Sequence, residues 1–281
     1  MSEVLFKHDA DFMDAKFIKQ SLIDIGAQDC DILYIHSGMN FGIPNPNIGK
    51  VGVLEALASI IYSLDVATVL MPSYTFSFCN GERYDVEKSK SSMGALSEFF
   101  RKQHHWRRSI DPLMSNIGYG SDLTFISDVA KSSVGQGSTF DLLSKSGKKV
   151  KFLFIGPMVH ECFTFMHYLE DVAKVPYRYD FQFSGEIKVG DEIYEDEYKL
   201  FIRDDGVVPG GGAKIYSNIL FERNLAKTMP FGAGRLSCLE LNSARNVYLD
   251  LLDLSPNFYI EEPFMKATRS DSFSPRKMVA L

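Results

Sequence analysis

Cysteine is scarce in this chain and never paired: Cys30, Cys79, Cys162 and Cys238 are scattered over 281 residues with no CxxC. Such spacing excludes the disulfide framework of a small secreted domain and the ligand pattern of a structural zinc. The four read as reduced thiols, and no metal site is expected. Long apolar runs are also missing. No stretch approaches the roughly 20 apolar residues of a membrane span, and the opening Met-Ser-Glu-Val-Leu-Phe-Lys-His is too polar for a signal peptide, so the expected location is cytoplasmic and no membrane partner is expected. Positive charge is not in excess. The 30 Lys and Arg face 36 Asp and Glu, a net −6, which argues against a nucleic-acid partner held by general phosphate attraction. The triplet Gly210-Gly211-Gly212 has neither GxGxxG nor Walker spacing and reads as a flexible loop, not a phosphate cradle. There is no GxSxG elbow, internal repeat or low-complexity block.

What is present is alternation. Apolar residues at helical spacing from Asp11 to Ile25, stopped by Gly26, predict an opening helix. A strand over Asp31–His36, a helix from about Val51 to Leu64 and a strand over Val66–Met71 closed by Pro72 follow. A helix from about Met93 to Lys102, a strand over Val150–Ile155 and a helix carrying His167 complete the series. Such units predict an α/β fold, a central mixed sheet flanked by helices, with the chemistry on loops at the strand ends. Beyond about Val175, segments such as Tyr179–Phe183 and Tyr194–Tyr198 read as antiparallel strands. No linker divides the chain. The expectation is a single domain over 1–281: an α/β part to about 178, a β-rich part over 179–268 and a loose tail over 269–281.

Thr164-Phe165-Met166-His167-Tyr168-Leu169-Glu170 puts a histidine and a glutamate three apart just after a strand that ends in Gly156-Pro157. On a helix both side chains share a face, where the carboxylate can hold the imidazole in one tautomer and support its charge when it takes a proton. The same spacing also serves as a plain surface hydrogen bond. Position favours a general base, because strand ends running into helix starts are where open α/β sheets place catalytic groups. A downstream acid, Glu195 or Glu197, is the alternative partner for His167.

Taken in order, the motifs resemble the aminoglycoside 3-N-acetyltransferase family, the antibiotic N-acetyltransferases, whose fold is not the GNAT fold. The blocks are His36-Ser37-Gly38-Met39 with Phe41-Gly42, then Met71-Pro72-Ser73-Tyr74-Thr75, and Met93-Gly94 with Glu98 and Arg101. Arg108-Ser109 with Pro112 and Ser115, Gly137-Ser138, Gly156, and Thr164-x-x-His167-x-x-Glu170 complete them. They span roughly Ile25 to Arg178. The resemblance implies an acyl-CoA-dependent N-acyltransferase, taking acetyl-CoA or a hydroxyacyl-CoA as co-substrate and a small-molecule amine as acceptor. It places the cofactor near Ser37, Gly38, Met39, Phe41, Ser109 and Ser138. The acceptor is expected near Tyr74, Thr75, Arg108, Asp111 and Thr164, with His167, Glu170 and Asn80 as the catalytic set.

An acyl thioester is already activated, so the enzyme's main task is to deprotonate the attacking amine, and proton transfer of this kind is typically worth ~10²–10⁴ in rate. His167 suits that task, and backbone N–H groups around Ser37–Met39 suit the oxyanion. Two positions depart from the family pattern. Asp111 stands where a histidine is common, and Asn80 where an acid commonly meets a polycationic antibiotic. The loss of a carboxylate at Asn80, together with family relatives that acylate amino-deoxy sugars of cell-surface glycans, favours a nucleotide-linked acceptor, a dTDP-3-amino-3,6-dideoxyhexose. An aminoglycoside acceptor and a non-catalytic CoA-binding protein are the alternatives. His104-His105-Trp106-Arg107-Arg108 reads either as a phosphate and base contact or as a solvated loop, Ser138 either as a cofactor contact or as a helix cap. Cys79 and Cys162 fall near the expected site, His36 reads as structural, and the volume around Met39, Phe41 and Phe76 is expected to set acyl choice. Nothing in the sequence fixes the oligomeric state.

Overall fold

A computed structural model describes residues 3–265. A seven-stranded mixed sheet runs in the order Ala226–Phe231, Gly234–Glu240, Val150–Gly156, Ile32–Ser37, Thr68–Pro72, Asn116–Gly120, Arg107–Arg108. The three central strands are parallel to one another and the outer ones antiparallel. Because both faces are covered, side chains alternate between two cores with period two. Tyr34, Leu70, Phe152 and Phe154 enter one apolar cluster, and Leu33, Ile35, Val69, Met71, Leu153 and Ile155 the other. This is the expected α/β architecture. Helices Ala15–Asp24, Gly49–Tyr62 and Ala95–Arg101 cover the second face. Helices Thr139–Lys145, Phe165–Val172, Gly212–Glu222 and Leu241–Leu254 cover the first.

The parallel arrangement sends the carboxyl ends of Ile32–Ser37, Thr68–Pro72 and Val150–Gly156 to one edge of the sheet, so their following loops converge there. A long antiparallel hairpin, Arg178–Val189 with Glu192–Arg203, stands beside that edge in unbroken register. The strand-rich C-terminal third is as expected, and it also contains the helices Gly212–Glu222 and Leu241–Leu254.

Two readings of the sequence are corrected. The expected helix from Asp11 begins only at Ala15, because Asp11–Asp14 pairs antiparallel with Val4–His8 and the Asp14 carboxylate then accepts the Phe17 N–H at 2.7 Å as an N-cap. The glycine triplet is not a flexible loop. Gly212 opens a helix, and a Cβ there would sit 2.2 Å from the Phe258 carbonyl oxygen, so close backbone approach explains the glycine. The tail over 269–281 lies outside the described residues. Among the described residues no helix is long and apolar enough to cross a membrane.

Candidate active site

The converging loops and the hairpin base enclose a cavity of about 1040 Å³. One wall comes from the sheet edge: His36, Ser37 and Gly38 from the first parallel strand, Pro72, Tyr74 and Thr75 from the second. Its backbone is tightly set. Gly156 has φ +99° and a Cβ there would lie 2.2 Å from the Gly38 carbonyl oxygen, while the Gly38 N–H donates to Ile155 O at 2.9 Å. Only glycine fits. Phe76 also lines the cavity with a positive φ of 60°, an uncommon state for an aromatic residue. Tyr74 Oη and Thr164 Oγ1 share a hydrogen bond of 3.0 Å across the cavity wall, and Asn80 sits at the exposed rim with its amide donating to Phe76 O at 3.0 Å.

On this wall the Ser37 hydroxyl oxygen and His36 Nε2 are buried with no hydrogen-bond partner among the described residues. Buried polar groups are ordinarily satisfied, so both are open to a bound molecule. His36 stacks on Phe154 with ring centroids 4.9 Å apart, and burial pushes it down to about 3, which keeps it neutral. It is a packed residue, as expected, yet one that faces the cavity.

The helix and hairpin residues of the lining carry most of the charge. Helix Phe165–Val172 presents His167 to the cavity, 12% exposed, with Glu170 one turn on and wholly buried beneath it. Glu170 Oε2 lies 2.8 Å from His167 Nδ1, and Tyr177 Oη donates to Oε1 at 2.8 Å. Arg178 Nε lies 2.9 Å from Oε2, and Arg178 Nη2 stands 3.0 Å from His167 Nδ1. Burial acts to raise the Glu170 carboxyl, but Arg178, His167 and Tyr177 overcome it and hold it at about 2. His167 is lowered from its ordinary value, by burial first and by Arg178 second, against the opposing pull of Glu170. The ring is therefore neutral at pH 7. Nδ1 thus meets one group that only accepts, Glu170, and one that only donates, Arg178; the tautomer that gives its Nδ1 proton to Glu170 is the one that leaves Nε2 its lone pair.

A family model described as aminoglycoside 3-N-acetyltransferase matches residues 35–246. The chain belongs to this family. The structure of AAC-IIIb with CoASH superposes with a TM-score of 0.71 at 15% identity, covering 85% of this chain and 96% of that one. AAC-VIa bound to sisomicin gives 0.71 at 17% identity, covering 86% and 98%. The apoenzyme of AAC(3)-IVa gives 0.68 at 19% identity, covering 94% of each chain. A sequence search of curated proteins found no match.

Within this antibiotic N-acetyltransferase fold the residues singled out by sequence divide. His167, Ser37, Gly38, Tyr74, Thr75, Asn80 and Thr164 line the cavity, with Glu170 directly behind His167. Glu197 is engaged elsewhere on the hairpin, with Gln182 and Ser184. Met39 and Phe41 turn to the other core. Phe41 is fully buried against Phe6 and Phe231, and neither residue lines the cavity, so of the three residues expected to set acyl choice only Phe76 faces it.

The remaining polar candidates tie the backbone together. Ser109 Oγ accepts the Asn116 N–H at 2.9 Å, and Ser138 caps helix Thr139–Lys145 by accepting the Asp141 N–H at 3.3 Å. Asp111 is buried, which pushes its carboxyl up, and accepts from the Leu113 and Met114 N–H groups and from Ser133. Arg108 lies over the Tyr84 ring and donates to the carbonyls of Ser73 and Ser89. None of these four lines the cavity. Trp106 is packed on Phe100, with its indole N–H donated to Tyr62, so it does not offer a face to a base. Cys162 does line the cavity, but burial raises its thiol to about 12, far from a thiolate. Arg178, Arg203 and Tyr177 were not foreseen. They lie at or beside the hairpin base, and no local pattern marks them.

Proposed function

We propose that the protein transfers an acyl group from acyl-CoA to the amine of an amino sugar by direct attack, with His167 as general base. The observation that carries this is a carboxylate-held histidine, lowered below its ordinary value, lining one cavity together with a glycine-built strand end whose Ser37 hydroxyl has no partner among the described residues. Ser37 and the tight Gly38 turn suit the thioester end of acyl-CoA, because small residues let a carbonyl approach the backbone closely. In the reaction the amine nitrogen forms a bond to the thioester carbon, His167 Nε2 takes the amine proton, and the carbon–sulfur bond breaks to release the thiolate, which is protonated in turn. A cysteine intermediate is disfavoured by the raised thiol of Cys162.

For the acceptor we favour a nucleotide-linked amino sugar of the dTDP-3-amino-3,6-dideoxyhexose kind, supported by the amide at Asn80 on the cavity rim. An aminoglycoside is the second reading, favoured by three carboxylates on the same cavity, Glu161, Asp204 and Asp205. Thiol release distinguishes them when acetyl-CoA and a hydroxyacyl-CoA are each crossed with an aminoglycoside and the nucleotide sugar. Release dependent on the nucleotide sugar supports the first reading, release with the antibiotic alone the second. Silence in every combination overturns acyl transfer to either acceptor.

A further inference from the structure

Arg178 opens the first strand of the long hairpin, Arg203 closes the second, and the two are direct cross-strand partners. Opposite residues of an antiparallel pair project to the same face, with Cβ atoms roughly 4.5–5.5 Å apart, and like charges there are destabilising. Both line the acylation cavity. Their surroundings differ. Arg178 is almost fully buried and is engaged by Glu170, His167 Nδ1 and the Phe201 carbonyl. Arg203 Nη1 is buried without a hydrogen-bond partner, and among the described residues no carboxylate forms an ion pair with the guanidinium. Burial and the neighbouring Arg178 both disfavour its charge, yet an arginine in a protein stays protonated. Arg203 is half-buried, and the carboxylate that favours its charge, Glu170, acts from beyond ion-pair distance and is already engaged by Arg178, so an anion in the cavity would be its direct partner.

We infer that Arg203 forms an anion subsite of this cavity that takes a phosphate of the acceptor's nucleoside diphosphate. The inference rests on the nucleotide-sugar reading and adds the residue that enforces it. Position argues for the acceptor over the phosphates of CoA. Arg203 is the cross-strand neighbour of Arg178, which itself contacts the base His167, so the subsite lies on the same side of the cavity as the group that would deprotonate the acceptor. The Ser37–Gly38 wall expected to meet the thioester belongs to the seven-stranded sheet, whereas Arg203 belongs to the separate sheet of the hairpin. Asp204 and Asp205, next along the chain, and Glu161 give the cavity an acidic side as well. The acceptor that fits both is zwitterionic, an ammonium and a phosphate on one molecule.

The test compares wild type, Arg203→Gln and Arg203→Lys by calorimetric titration with dTDP alone and with a non-reactive acyl-CoA analogue. Removing one partner of a buried charge contact is expected to weaken dTDP at least roughly tenfold in R203Q. R203K keeps the charge without the planar fork and should fall between; acyl-CoA affinity should stay within about twofold in both. If R203Q does not fold, R203K decides by the same comparison. The proposal is overturned if wild type does not bind dTDP, if dTDP binding is insensitive to both substitutions, or if acyl-CoA is the ligand weakened. Failure of the parent reading looks different: dTDP would bind through Arg203 while no amino sugar is acylated. Conversely, turnover of an antibiotic by a wild type that ignores dTDP would leave acyl transfer standing and remove the subsite.

Discussion

The two walls of the cavity are built on different principles. The sheet-edge wall is assembled from short runs at the ends of the parallel strands Ile32–Ser37 and Thr68–Pro72, is held by glycine at Gly38 and Gly156, and those runs carry no formal charge: His36 is neutral, and Ser37, Gly38, Pro72, Tyr74 and Thr75 are uncharged. The facing wall draws on a helix and the two ends of a hairpin 25 residues apart in sequence, and it concentrates His167, Arg178, Arg203, Asp204 and Asp205. A thioester carbonyl needs close approach and hydrogen-bond donors, which a rigid backbone supplies. An amine that must lose a proton needs tuned charges, which only side chains brought together from separate elements supply. Under the proposed acyl transfer, the division of chemistry follows the division of construction.

The largest effect that tests this division is at the charged wall. His167→Ala should lower kcat by about 10²–10⁴ with little change in acyl-CoA affinity, measured by thiol release and by titration. A loss below tenfold would remove His167 from the base role.

Next is Glu170→Gln. It leaves Arg178 uncompensated in a buried site, so unfolding free energy should fall by about 3–5 kcal/mol in denaturant titration. The pH dependence should change with it. Glu170 is depressed to about 2 in the fold from 4.5, so its contribution is fully present above pH 4.5 and is lost as pH falls toward 2. His167 is also lowered from 6.5, so below that pH the unfolded chain binds the extra proton and stability declines in the same direction. The wild-type kcat/KM should be level near pH 7, with its acid limb below 6.5. In E170Q, which lacks the carboxylate that pulls His167 upward, the limb should move to still lower pH. A limb that does not move would separate Glu170 from the base.

Ser37→Ala probes the neutral wall. The loss of one hydrogen bond to the co-substrate, worth about 1 kcal/mol, should raise the KM for acyl-CoA about fivefold and leave the acid limb in place. An effect on the limb would show that the two walls are not chemically separate.

How much of this was legible follows the same line. His167 and Glu170 were readable because their pairing is local, three residues on one helix, and Ser37–Gly38 because it closes an apolar strand. Arg178, Tyr177 and Arg203 were not, since their neighbours are set by hairpin register and by docking of the hairpin on the sheet. Met39 and Phe41 were misplaced because the chain turns after Gly38 and sends Phe41 beneath the sheet, into a cluster with Phe6 and Phe231. Arg108, Ser109 and Asp111 share the residue types of a binding loop, but backbone groups of neighbouring segments take up their hydrogen bonds. A sequence shows that a side chain is polar before it shows what the side chain meets.

Ser138 gives the smallest effect and the cleanest control for the comparison. It was a candidate for the cofactor and stands in neither wall: its Oγ accepts the Asp141 N–H at the start of helix Thr139–Lys145, and the residue is buried. Ser138→Ala should therefore cost about 1 kcal/mol of stability through the lost cap, with the KM for acyl-CoA unchanged. Denaturant titration and steady-state kinetics on the same preparation decide it. Unaltered stability with a raised KM would mean that the hydroxyl serves the co-substrate, and that the neutral wall extends beyond the strand ends to a helix start.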